Sequence, residues 1–335
     1  MRVVSQYIVS KNNAGPKAKI DVERILKEHY NAKIYTNKVN DSEISIISKI
    51  KKMLFCRKAL KTDDLVVIQI PFSNKNEILK LAKNKVGIIH DLDGIRFQDE
   101  KLLKNEINCL NMYKYLIVHN ETMEKYLKSK GVKVPMVSME LFDYLVKEED
   151  EEKSKIKRNF NPNSPIIVYP GNLEKRKAEF IYDLEEDKMN FELFVYGNYF
   201  ENENVNNKKI IHKGTFPPDV IPSKIEGDLG LVWSGKLDES DENMNEKAYN
   251  KYNIPHKLSC YLVAKIPVIV WTKAASSEIV DQYNIGYRIN NLYDINNIDF
   301  SDYEEKKKNV ETLSKKIKEG YFTQTALDKI LKEIK

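Results

Sequence analysis

The strongest constraint on this chain is a repeated grammar of short apolar runs, rich in Val and Ile, each followed by a charged segment with helical spacing. VVSQYIV, LVVIQI, VGIIH and YLIVH occupy the first half, and none alternates strictly between apolar and polar residues. Runs of about four to seven such residues suit strands buried on both faces of a parallel sheet. Between them, helical spacing covers Ile20 to Tyr30, Glu43 to Leu60, Asn76 to Asn84, Glu100 to Asn111 and Glu121 to Lys130. Strand then helix, repeated about five times, predicts a doubly wound α/β domain.

After Leu145 the pattern stops at KEEDEEKSKIKRNFNPNS, a charge block with no apolar periodicity, which reads as an interdomain linker. It then restarts with PIIVYPGN, FELFVYGN, KIIHKG, LGLVWSG and IPVIVWT as strands, and with helical segments at Asp219 to Glu226 and His256 to Lys265. The tail from Asp302 to Lys335 has helical spacing with a break at Gly320. The expected organisation is one Rossmann-like domain over 1–150, a second over 151–318, and a terminal helix over 319–335.

Composition narrows the class. The 335 residues carry 55 Lys and Arg against 50 Asp and Glu, a net charge of +5, with 41% hydrophobic residues. That balance describes a globular protein and is too even and too interleaved for a nucleic-acid binder. Cys56, Cys109 and Cys260 lie far apart and form no C-x-x-C pair, which removes a disulfide framework and a conventional zinc site. The opening run is broken by Gln6 and too short for a signal sequence, and nothing approaches the roughly 18 apolar residues of a membrane span. A cytoplasmic enzyme or binding protein is the expectation.

Cations stand where local physics disfavours them. A helix N-terminus carries partial positive charge, so Lys or Arg in a first turn is unfavourable unless an anion sits there. Three expected helix starts break this rule: Lys17 and Lys19 after Gly15 and Pro16; Lys175, Arg176 and Lys177 after Gly171; and His256 and Lys257 after Pro255. In a doubly wound sheet such turns lie at the carboxyl ends of the strands, where ligands bind. Amides, dipole and cation together make a phosphate site, for which Arg176 and Lys257 are the strongest candidates.

Further residues belong to the same rims. Tyr196 and Gly197 end the run FELFVY, where the tyrosine either stacks on a flat base or caps the core. VGIIHDLDGIR places His90, Asp91, Asp93 and Arg96 directly after a buried strand, the best acid/base cluster in the chain, and His119 ends the neighbouring YLIVH. Asp93 has a second reading, as the cap of a helix beginning near Gln98. The D-x-D triplet alone is a weak metal signal.

PHKLSCYLVAKIPVIVWTKAA, taken with the NNAG loop, HDLDGIR and VYPGNLEKRK, resembles the glucosyltransferase 3 family of bacterial GT-B glycosyltransferases and their β-1,6-galactofuranosyltransferase relatives. The likeness runs colinearly over nearly the whole chain. It implies a GT-B fold, with two Rossmann-like domains facing a central cleft and a C-terminal helix returning to the first. It implies transfer of a hexosyl unit, glucose favoured, from a UDP-sugar to a glycan such as GlcNAc on a glycoprotein or a surface polysaccharide. No metal cofactor is expected, and relatives are expected to form homo-oligomers.

Carried over by position, Arg176 and Lys257 would neutralise the diphosphate and Tyr196 and Gly197 would border the nucleoside. Asn253, His256 and Ser259 would line the donor site, and Asn13 and Gly15 would close over it. Asp91 or His90 would take the acceptor proton, with Asp93, Arg96 and His119 on the acceptor side. The sequence departs from the broader retaining families, because Cys260 stands where their second glutamate falls and Lys265 replaces a glycine. Two other readings share the architecture: a non-catalytic glycan-binding or partner subunit, and a UDP-sugar epimerase.

Overall fold

The computed structural model describes residues 1–8, 14–39, 46–72, 76–146, 159–237 and 245–334. The chain divides into two units, one of residues 1–143 with 320–335, the other of residues 144–319. The proposed linker lies mostly outside the described residues.

In the first unit six strands form one parallel sheet in the order β2-β1-β3-β4-β5-β6. They are β1 (Arg2–Ile8), β2 (Lys33–Val39), β3 (Val66–Ile70), β4 (Lys85–Ile89), β5 (Tyr115–Val118) and β6 (Met136–Ser138). The apolar runs became the interior strands, where Val3, Val4, Val66, Val67, Ile68 and Ile88 are fully buried. Apolar side chains on both faces leave such a strand no solvent side, so helices must cover the sheet twice. They include α1 (Lys17–Tyr30), α2 (Ile46–Leu60), α3 (Asn76–Leu79), α4 (Asp93–Arg96), α5 (Glu100–Leu110) and α6 (Glu121–Ser129). Asp99 and Asn120 cap α5 and α6 by accepting the Leu102 and Met123 amides at 2.9 and 2.8 Å. The cap of α5 is therefore Asp99, and Asp93 instead opens the separate short turn α4.

In the second unit the order is β12-β11-β10-β7-β8-β9, again all parallel. Its strands are β7 (Ile166–Pro170), β8 (Glu192–Tyr196), β9 (Ile210–His212), β10 (Leu229–Val232), β11 (Val268–Trp271) and β12 (Gly286–Ile289). Counted from β7, this is the 3-2-1-4-5-6 order of the Rossmann fold, with its reversal between β7 and β10. The helices are α7 (Phe180–Asp183), α8 (Asn245–Asn250), α9 (His256–Val263), α10 (Ser276–Tyr283) and α11 (Tyr303–Lys318). The helix expected over Asp219 to Glu226 is only a single tight turn at Ile221–Ser223, because Pro222 interrupts the backbone ladder.

The final helix, α12 (Tyr321–Ile334), belongs to the first unit and packs on α1, β5 and β6. Tyr30 donates to Asp328 at 2.7 Å, and the buried Asp143 carboxylate accepts the Phe322 and Thr323 amides at 3.2 and 2.7 Å. That carboxylate caps the helix start, satisfying two amides with no earlier helical carbonyl to receive them. Among the described residues, no helix is long and apolar enough to cross a membrane.

Candidate active site

In the second unit the reversal between β7 and β10 leaves a crevice at their carboxyl ends, and three segments meet beside it. The first is the turn after β7. Gly171 lies so near the end of β8 that a Cβ on Gly197 would stand 1.8 Å from the Gly171 carbonyl oxygen. Gly197 also has φ +145°, so both space and backbone require glycine there. Its neighbours explain this residue without a ligand.

The second segment is the start of α9. Pro255 precedes it in an extended conformation and, as the N-cap residue, makes no side-chain hydrogen bond to the helix. Lys257 reaches back over the sheet edge, with Nζ 3.8 Å from the centroid of the Tyr169 ring and 3.6 Å from where a Gly171 Cβ would sit. The half-buried ammonium thus rests on an aromatic face at the end of β7, beside the start of α9. His256 stacks on Tyr144 at 4.6 Å, and Tyr144 donates to the Pro218 carbonyl.

The third segment leads into that helix. Asn253 is 8% exposed, and its Oδ1 has no hydrogen-bond partner. A buried amide oxygen without a donor costs about 1–3 kcal/mol, and Asn253 carries that unmet acceptor just ahead of α9. Ser259, by contrast, is fully buried one turn into α9 and offers no open face.

Two donor-side expectations are corrected here. Arg176 is not in the first turn of a helix: residues 175–177 form a turn, α7 starts only at Phe180, and the arginine side chain is 80% exposed with its Nε 3.6 Å from Glu174. The Asn172 side chain accepts the Glu174 amide at 2.9 Å, closing a local turn ahead of residues 175–177. Tyr196 is 2% exposed and its hydroxyl accepts the Glu226 amide at 3.0 Å, so its ring caps the core and presents no stacking face.

The first unit holds a separate cluster at the ends of β3, β4 and β5. His90 Nε2 lies 2.7 Å from Gln69 Oε1, whose amide nitrogen donates to Ser5 and to the Lys19 carbonyl. An amide oxygen can only accept, so Nε2 carries the proton and is committed to Gln69. His119 donates from Nε2 to the His90 carbonyl at 3.1 Å, and both rings pack on Phe142. Burial lowers the His119 pKa to about 4. At 2% exposure it supports His90 from below and has no open surface for an acceptor.

Asp91 is the accessible member, paired through Oδ1 with Arg96 at 2.7 Å, with side-chain exposures of 34% and 28%. The turn that carries Arg96 is clamped by a residue the sequence reading missed. Glu106 on α5 accepts the Asp93 and Gly94 amides at 3.0 Å each, while a Cβ on Gly94 would strike the Leu103 backbone at 2.4 Å. An acidic residue on the otherwise buried stripe Leu103, Ile107, Leu110 was the available signal.

The cations opening α1 are also corrected. Lys17 is 3% exposed and pairs with Asp21 at 2.6 Å, while Lys19 donates to the Gln6 and Pro71 carbonyls at 3.0 and 2.9 Å. Both are satisfied inside the protein and need no anion. Burial lowers the Lys19 pKa to about 8 against the opposing pull of Asp91 and Glu23, so its ammonium lies in the field of the Asp91 carboxylate. Gly15 sits exposed just before this helix, and Asn13 lies outside the described residues.

Two Rossmann-like units in series, with a C-terminal helix packed in the first, give the GT-B architecture found among glycosyltransferases. Residues 1–141 match the N-terminal domain model of the glucosyltransferase 3-like family and residues 167–330 match its C-terminal domain model, so the chain belongs to that family. It is 27% identical over 97% of both chains to an Escherichia coli β-1,6-galactofuranosyltransferase, WbbI. It is 24% identical to glucosyltransferase 3 of Streptococcus parasanguinis, over 86% of this chain and 83% of that one. Among solved structures, Anabaena HepE in complex with UDP and glucose covers 100% of this chain and 99% of its own, with a TM-score of 0.60 and 13% identity.

Proposed function

We propose that this glycosyltransferase moves a hexosyl unit from a UDP-sugar to a glycan acceptor without a metal cofactor, with glucose the favoured sugar. The observation that carries the reading is the Lys257 ammonium held beside Gly171 at the end of β7, at the start of α9. As the bond between the anomeric carbon and the β-phosphate oxygen breaks, negative charge collects on the diphosphate. A fixed cation and oriented amides there stabilise the transition state more than the bound substrate. Arg176, on the exposed turn after the same strand, serves as the second cation, and Asn253 Oδ1 accepts a hydroxyl or amide hydrogen of the donor.

Acceptor chemistry falls to the first unit. Asp91 takes the proton of the attacking hydroxyl while the new bond forms from that oxygen to the anomeric carbon, and Arg96 orients the carboxylate. His90, its Nε2 committed to Gln69, positions the loop instead. The relatives' names support transfer of a hexosyl unit, and the UDP in the HepE complex supports a UDP-sugar donor.

The test is thermal stabilisation of the purified protein by UDP-glucose, UDP-galactofuranose, UDP-galactose and UDP-GlcNAc, because a ligand bound by the native state raises the melting temperature by mass action. One or more of the four is expected to stabilise it, UDP-glucose most. No stabilisation by any of them would reject the donor class.

A further inference from the structure

Helix α2 is the place in the fold where the apolar surface is not explained by a core. Its inner face is ordinary: Cys56, Ala59 and Leu60 are buried, and the helix packs on β1 and β2. Its outer face carries Ile50, Met53 and Leu54, exposed by 49%, 48% and 57%. The spacing i, i+3, i+4 places these three side by side on one stripe. Beside them stand the exposed cations Lys51, Arg57 and Lys58, and the fifteen residues of the helix contain no Asp or Glu.

Acidic groups flank the helix: Asp41 and Glu43 precede it in the sequence, outside the described residues, and Asp63 and Asp64 follow it. Asp64 is paired with Arg2 at 3.1 Å and Asp63 lies 3.8 Å from Lys83. Three neighbouring apolar side chains, each about half in water, make a contiguous stripe shaped for a partner.

We infer that this face of α2 docks on an anionic lipid surface, with Ile50, Met53 and Leu54 entering the headgroup boundary and Lys51, Arg57 and Lys58 meeting lipid phosphates. Charge decides among the occupants. A second copy of the chain in a two-fold contact sets the same patch against itself, bringing these cations together with no anion on the helix to separate them. A nucleic acid satisfies the cations but leaves the apolar stripe against a polyanion. An anionic bilayer satisfies both, as amphipathic basic helices do when they lie in the interface. The helix is in the same unit as Asp91, so the docked unit is the one proposed to hold the acceptor.

Flotation of the full chain with vesicles tests this, comparing pure phosphatidylcholine with an even mixture of phosphatidylcholine and phosphatidylglycerol. Binding is expected on the anionic vesicles, weakening with added salt, and weaker on the neutral ones. Leu54→Glu and Met53→Glu are expected to lower partitioning about tenfold or more with the melting temperature unchanged. The pair Lys51→Glu and Lys58→Glu, which leaves every apolar contact in place, is expected to remove the preference for anionic vesicles. No partitioning into anionic vesicles, or equal partitioning of wild type and variants, would overturn the inference. So would a dimer by light scattering that Leu54→Glu splits without any vesicle binding, which would assign the face to a second copy.

Discussion

Glu106 Oε2 receives the Gly94 amide at 3.0 Å, twelve residues back along the chain, and its second oxygen receives Asp93. One buried carboxylate thereby fixes the turn from which Arg96 reaches Asp91. Burial raises the Glu106 pKa from 4.5 to about 7, against the opposing pull of these two amide bonds. Between those values the folded protein keeps a proton that the unfolded chain has released, so this group's contribution to stability falls as pH rises through the window. Glu106→Gln cannot titrate. The stability of wild type minus that of the variant is expected to fall by on the order of 2 kcal/mol from about pH 4.5 to pH 7.5, read by urea denaturation. His119, buried neutral, contributes the opposite slope to both proteins and cancels. Parallel curves would contradict the assignment.

Gly197 is expected to tolerate no side chain. A methyl group there meets the Gly171 carbonyl at 1.8 Å, and φ is +145°. Gly197→Ala is expected to destabilise the protein by about 3 kcal/mol or more in chemical denaturation, since both the β7 and β8 ends must move. A loss under about 0.5 kcal/mol would mean the two turns are not packed as described.

Asp91→Asn keeps the size of the side chain and removes the base. Turnover with donor and acceptor present is expected to fall by about a hundredfold or more, while UDP affinity is unchanged, because the residues proposed to bind the diphosphate belong to the other unit. Wild-type turnover would return the base role to another group.

The interior strands were legible because burial on both faces demands unbroken Val and Ile, and VVIQI and KVGII show little else. Strands that do not meet this demand were missed. KIYTNKV is an edge strand with half-exposed residues, while MVS and GYRI are three and four residues long, too short to carry a period. The start of α9 was legible from Pro255, and Lys257 stood out there as a cation, but its neighbour was not legible: Lys257 and Gly171 meet across 86 positions of sequence, and only the strand order brings them together.

The reading of α1 failed for a different reason. Lys17 and Asp21 stand one helical turn apart, so the internal partner was present in the sequence and makes an external anion unnecessary. At residues 175–177 a glycine followed by cations imitates a strand-to-helix turn. The chain makes only a turn there, and the helix starts at Phe180.

The central claim is that the Lys257 ammonium beside Gly171 holds the donor diphosphate, and calorimetry with UDP tests it most directly. Wild type is expected to bind UDP, and Lys257→Ala, with its melting temperature unchanged, to bind it about tenfold or more weakly, a difference of about 1.4 kcal/mol. Equal affinity of the two proteins for UDP, or no heat from wild type at millimolar UDP, would contradict the account.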